Sequence, residues 1–230
     1  MLINVIVWLL TSIVARAGID LNGLLGLHYI TAPAFHWWQV VTYMFMHANF
    51  SHLFFNMFAV LMFAPVLERE WGATKFIVFY LICGIGAALM QESVWALMYG
   101  HELALAPSYI ANRLVTIGAS GAVFGILFAF GWLFPDVPMF LFFIPIPIRA
   151  RVMVIAYAVI ELFAGLGGMV FTGDNVAHFA HLGGMLFGWL VMLYWRYGEP
   201  HVKAWWSRLR GHDDDSGNDR WSEYHYQRSE

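Results

Sequence analysis

The feature that most constrains this chain is where its charges are missing. Residues 1–15, 76–91, 114–135 and 175–195 contain no Asp, Glu, Lys or Arg, and residues 21–67 contain none over 47 positions. Crossing the ~30 Å hydrocarbon core of a bilayer takes ~20 mostly apolar residues. In lipid every backbone polar group must be bonded within its own segment, so such runs are read as helices. The 230 residues are 60% apolar and 12% charged, where soluble domains carry roughly 25% charge. That composition excludes disorder, a secreted disulfide scaffold and an ordinary soluble enzyme. A net charge of −3 leaves no basic footprint for nucleic acid. The single Cys83 excludes a disulfide within the chain and a cysteine-based metal cluster.

The pattern predicts an all-α integral membrane protein with six transmembrane helices, at about 2–18, 52–69, 73–92, 118–134, 150–171 and 177–196. Residues 2–18 lack a basic leader and are expected to be a retained first helix. Residues 19–51 are long and aromatic (Trp37, Trp38, Tyr43, Phe45, Phe50), as expected of a first outer loop that lies at the interface or dips into the membrane. Residues 93–117 are expected to form a second outer loop. Pro135, Pro138, Pro145 and Pro147 break the chain between the fourth and fifth helices. The domain is expected to span 1–197, followed by a polar tail, 198–230, that is partly disordered and carries 12 of the 27 formal charges. Ten of the 12 Lys and Arg fall on the side of the tail, only Arg16 and Arg113 on the other, so both termini are expected to be cytoplasmic.

Polar residues inside a span are costly and are candidates for function. Three predicted helices carry them in their first turns, all on the outer side: Ser51-His52-x3-Asn56, Gly118-Ala119-Ser120-Gly121 and His178-Phe179-Ala180-His181. The fifth helix carries Glu161. Ser120 follows Arg113, and His181 follows Asp174, by seven residues each, which places both roughly 10 Å below the outer boundary. Gly121-x3-Gly125 and Gly184-x3-Gly188 give both helices the small-x3-small spacing that permits close approach. Contact there brings a serine hydroxyl to an imidazole, a nucleophile and its base. Asn56, His52 and the backbone N–H at Ser120 are candidate donors to a developing oxyanion.

Taken together, Gly118-Ala119-Ser120-Gly121, His47-x4-His52-x3-Asn56 and Ala180-His181-x2-Gly184-x3-Gly188 resemble the motifs of rhomboid intramembrane serine proteases. The resemblance covers about residues 1–196. It implies a six-helix rhomboid-like bundle, with Ser120 as nucleophile and His181 as base in a dyad without an acid. It places His52 and Asn56 at the oxyanion site, with Gly118 and Phe124 supporting. It implies single-span membrane proteins as substrates, the lipid bilayer as surroundings, no cofactor and no metal. It also suggests a bacterial inner membrane as the location. Two positions depart from the family pattern. Gln39 follows Trp38 where an Arg is common, so altered anchoring of the loop is expected. Phe124 stands where a Tyr is common; its ring can still stack on His181, without the hydroxyl.

His47 is expected to tie the outer loop to the second helix, and His178 to lie near the outer water boundary without a catalytic role. Glu161 is expected to pair with a polar group between helices. Asp174 and Asn175 are expected to cap the sixth helix. Two other functions compete. One is a metal transporter using His47, His52, His178, His181 and Glu161, since imidazole suits Zn, Cu and Ni. The other is a catalytically inactive rhomboid-like protein that binds membrane clients.

Overall fold

A computed structural model describes residues 1–105, 110–141, 144–167 and 177–198. The chain divides into two units, Met1–Trp189 and Leu190–Glu230. The predicted tail, with Asp174 and Asn175, lies outside the described residues apart from Gly198, where a π-helical turn, Tyr194–Gly198, ends.

The fold is mainly helical. Helix α1 (Leu2–Ala15) leads to a segment of four short elements: α2 (Leu21–Leu25), β1 (Leu27–His28), α3 (Gln39–Thr42) and a 3₁₀ turn, Tyr43–Phe45. Helix α4 (Phe50–Trp71) follows, then α5 (Ala73–Leu105), β2 (Val115–Thr116), α6 (Ser120–Leu133), the hairpin β3 (Pro138–Leu141) and β4 (Ile144–Arg149), α7 (Ala150–Gly167) and α8 (His178–Leu193). Among the described helices α4, α5 and α7 are long and apolar enough to cross a membrane, and α1 and α6 are shorter apolar helices of 14 residues. Many large apolar side chains face outward, among them Ile155, Ile160 and Phe163 of α7, as expected of an integral membrane protein whose solvent is lipid. The predicted end of the fifth helix, 168–171, falls outside the described residues.

Two features depart from the sequence reading. First, α5 does not stop near residue 92; it has 33 residues, a length of roughly 50 Å that outruns the ~30 Å apolar layer. Its extension carries Trp95 and Leu103 into a small cluster with Tyr29, Ala32, Ala111 and Leu114, so burial against these two loop segments prolongs a helix that hydropathy would end. Second, the proline-bearing stretch after α6 is a β-hairpin, with Pro138 opposite Arg149 and Phe140 opposite Pro147. Proline is tolerated at the first residue of a strand and at edges, and Arg151 closes the hairpin base on Asp136 at 2.7 Å. The first loop, residues 19–51, forms a packed layer.

That layer is organised by Gln39, which is fully buried. Its Oε1 accepts from the backbone N–H of His28 (3.3 Å) and His36 (3.2 Å), and its Nε2 donates to the carbonyls of Leu24 (3.1 Å) and Ala34 (2.9 Å). A neutral amide has both donors and acceptors to satisfy four backbone groups; a guanidinium has donors only. The expected change of anchoring at this position thus takes a definite form, a buried amide clamp in place of a charge. Thr42 Oγ1 donates to the Leu25 carbonyl at 2.7 Å, and Tyr43 Oη to that of Gly84 on α5 at 2.7 Å.

Candidate active site

The layer around Gln39 reaches the site through backbone bonds. Strand β1 pairs antiparallel with β2, Leu27 opposite Thr116 and His28 opposite Val115, and the Gly118 N–H donates to the Tyr43 carbonyl at 2.9 Å. These bonds hold Val115, Thr116 and Gly118 on the approach to Ser120, which opens α6. Gly118 has φ +135°, a conformation rarely open to other residues. A Cβ there would also lie 2.7 Å from the His52 ring. Glycine is therefore required twice over, by the backbone and by the imidazole beside it.

Helices α6 and α8 touch backbone to backbone. A Cβ on Gly184 would overlap the Gly121 carbonyl, and one on Gly125 would lie 3.0 Å from the Gly184 carbonyl. With the helices this close, Ser120 Oγ and His181 Nε2 lie 2.7 Å apart. The other face of the imidazole is set by Glu161 on α7, whose Oε2 is 2.8 Å from His181 Nδ1 and 2.7 Å from His178 Nδ1. With Nδ1–H donating to the carboxylate, Nε2 is left to accept the Ser120 hydroxyl. Phe124, one turn into α6 from Ser120, stacks on His181 with centroids 4.3 Å apart and planes 5° from parallel. Tyr157 of α7 packs edge-on against Phe124 at 6.0 Å.

Helix α4 contributes the other wall. Asn49 caps it by accepting the His52 N–H at 2.8 Å. Asn56 is buried and spends one amide N–H on the His52 carbonyl at 2.8 Å; the amide has a second. The His47 ring lies 5.0 Å from that of His52 and is buried in the loop before α4. Burial, with His52 as a smaller contribution, lowers the His47 pKa to about 4, so it stays neutral at physiological pH. Ser120, His181, His52, Asn56, Phe124 and Tyr157 all line one cavity of about 970 Å³. Its remaining lining is mostly apolar, including Phe55, Ala59 and Met62 of α4 and Met153 of α7.

A domain model for the rhomboid domain matches residues 34–198. The chain belongs to the rhomboid family. It is 34% identical to Rhomboid-like protein 11, chloroplastic, of Arabidopsis thaliana over 73% of this chain and 54% of that protein. It is 27% identical to the putative rhomboid protease YdcA of Bacillus subtilis over 82% of each, and 32% identical to Rhomboid protein 1, mitochondrial, of Saccharomyces cerevisiae over 64% of this chain and 40% of that protein. The chain thus spans about half of the plant relative, less of the yeast one, and most of the bacterial one.

Set against the rhomboid pattern, Ser120, His181, His52, Asn56 and Phe124 line one cavity, and Gly118 lies against the His52 ring. His178 lies one turn from His181 on α8 and faces Glu161. Glu161 does pair between helices, and it does so with the candidate base itself. Glu161, His178 and His181 are also the described group of donors that could hold a metal ion, their ligand atoms lying within 4.8 Å of one another. The 2.7 and 2.8 Å contacts onto one carboxylate oxygen are hydrogen-bond lengths. Donors held at ~2.0–2.2 Å around a tetrahedral zinc stand farther apart, roughly 3.3 Å.

Proposed function

We propose that this rhomboid is an intramembrane serine endopeptidase that cleaves single-span membrane proteins in or near their transmembrane segment. The observation that carries this reading is the 2.7 Å contact between Ser120 Oγ and His181 Nε2 inside a cavity walled by apolar helices. His181 takes the hydroxyl proton as Ser120 attacks the scissile carbonyl, then returns it to the leaving amine. The acyl-enzyme is released by water, with His181 again as base. Asn56, His52 and the N–H groups at the start of α6 are the donors for the oxyanion, where the helix N-terminus also favours negative charge. Gly118 keeps space for the His52 ring, and Phe124 holds the His181 plane. A transmembrane substrate suits an apolar cavity wall, because its side chains are already solvated by lipid and only its backbone must be received by polar groups. The protease domain is residues 1–197, with a cytoplasmic tail. Both termini lie on the cytoplasmic side, in a bacterial inner membrane.

The test is labelling with a serine-reactive fluorophosphonate in membranes, together with cleavage of a single-span substrate in proteoliposomes. The native protein labels and cleaves; Ser120→Ala and His181→Ala lose both by at least about 10³-fold. Equal labelling of Ser120→Ala and native protein would reject the nucleophile, and with it this reading.

A further inference from the structure

We infer that Glu161 is a positioning residue for the base, so that this chain works through a Ser120–His181–Glu161 relay of hydrogen bonds and not through a serine and a histidine alone. The inference rests on the proposed protease reading and adds to it an acid that the resemblance does not supply. Glu161 sits on α7 among lipid-exposed Ile160, Leu162 and Phe163, yet is itself buried. A carboxylate on a membrane helix is expensive unless paired. Here one oxygen, Oε2, meets His181 Nδ1 at 2.8 Å and His178 Nδ1 at 2.7 Å. An ionised carboxylate accepts both N–H groups at once. A protonated oxygen would donate to one ring and leave the other contact unserved.

The consequence for the reaction is specific. With its proton held on Nδ1, His181 presents the lone pair of Nε2 to the Ser120 hydroxyl 2.7 Å away. When Ser120 forms its bond to the scissile carbon, its proton moves to Nε2, and the imidazolium that results lies against the Glu161 carboxylate. No proton passes to Glu161. His178 serves as the second donor that keeps the carboxylate turned toward His181. Phe124 blocks tilting of the ring from its face, so its edge and its face are held by different helices. The ionisable groups facing this assembly are His178 on α8, His52 on α4 and Tyr157 on α7; the last two line the same cavity.

The experiment compares the native full chain with Glu161→Gln and Glu161→Asp in proteoliposomes, measuring kcat and KM from pH 5 to 9 and the rate of fluorophosphonate labelling. In a soluble triad the acid-to-amide change cost roughly 10⁴-fold in kcat. In this more open site we expect about 10–100-fold for Glu161→Gln, with KM within about twofold. The acid limb of the profile should move to lower pH, because the imidazolium loses its counter-charge. Glu161→Asp should recover part of the rate. Native kcat in folded Glu161→Gln, an unmoved acid limb, a loss confined to KM, or no recovery in Glu161→Asp would each overturn the inference. If Glu161→Gln does not fold, the labelling rate of folded Glu161→Asp decides: slower than native supports the inference, equal to native overturns it. The two readings fail separately. Equal labelling of Ser120→Ala removes the protease reading. A silent Ser120→Ala beside a Glu161→Gln that labels at the native rate removes only the role of Glu161.

Discussion

Two sides of the same site are built by opposite means. On the α6–α8 side the helices meet through glycine. Nine of the 14 residues of α6 are buried, and Gly184 lies directly on the Gly121 carbonyl. On the α7 side only Ala150, Met153, Val154, Glu161 and Gly165 of 18 residues are buried, and α4 and α7 both contribute apolar lining to the cavity. Close packing tolerates almost no change of volume, so the first side holds Ser120 against His181 within a hydrogen bond. The second side borders the cavity. On the proposed reading, the Ser120–His181 pair sits on the close helix contact, while His52, Asn56 and Glu161 come from the other walls.

The largest expected effect breaks the rigid side. Gly184→Val puts a branched side chain where a single Cβ already overlaps backbone. It should prevent the native packing of α6 on α8 or cost more than the ~1–3 kcal/mol of ordinary overpacking, and it should abolish labelling of Ser120. Phe55→Ala, on the open side, should leave the melting temperature in detergent within a few degrees of native. Equal melting behaviour of the two variants would remove the distinction between the sides.

Next in size is the oxyanion wall. If Asn56 donates to the oxyanion as proposed, Asn56→Ala should lower kcat about 10²-fold, the lower end of the cost of one such donor in a soluble protease, with KM little changed. Turnover unchanged in both Asn56→Ala and His52→Ala would leave α4 with a packing role only. Smaller again is the stacking of Phe124. Phe124→Leu keeps the bulk and loses the ring, and stacked pairs are worth about 0.5–1.5 kcal/mol, so a roughly 2–10-fold loss of kcat is expected. Phe124→Tyr should stay near native. A Leu variant as active as native would show that the packed helices alone hold the His181 plane.

The last effect is one of pH and acts on stability, not on turnover. His47 is neutral in the fold, its pKa lowered by burial and by His52 to about 4 from an ordinary 6.5. Between those values the unfolded chain binds the extra proton and the folded one does not, so stability rises with pH across this window. The contribution is complete above about pH 6.5 and is lost as pH falls toward 4. Thermal melts at pH 7 and pH 5 should differ, and His47→Phe should narrow the difference. An equal drop in both proteins would place the sensitivity elsewhere.

Much of this molecule was legible from its chain because the bilayer reads hydropathy locally. A charge-free run of sufficient length must be a helix wherever its neighbours go, so α1, α4, α6, α7 and α8 stand close to where charges run out. Ser120 and His181 announce themselves for the same reason, as polar groups that lipid does not forgive. Gly121, Gly125, Gly184 and Gly188 mark the helix contact in advance, since close approach needs the absence of a side chain and that absence is written in the sequence.

What only the tertiary structure decided depends on partners far along the chain. Hydropathy ends a helix near residue 92; α5 continues to Leu105 because Trp95 and Leu103 find Tyr29 and Leu114 to pack against. Gln39 reads as a missing charge until four backbone groups from residues 24 to 36 are seen around its amide. Prolines between α6 and α7 read as breaks and prove to be one hairpin, whose register is fixed by cross-strand bonds that no local pattern encodes. Glu161 is the sharpest case. The sequence shows a carboxylate that must be paired, but which of several polar groups receives it is set by the rotation of α7 against α8. That rotation brings a residue 20 positions away from His181 to within 2.8 Å of its ring.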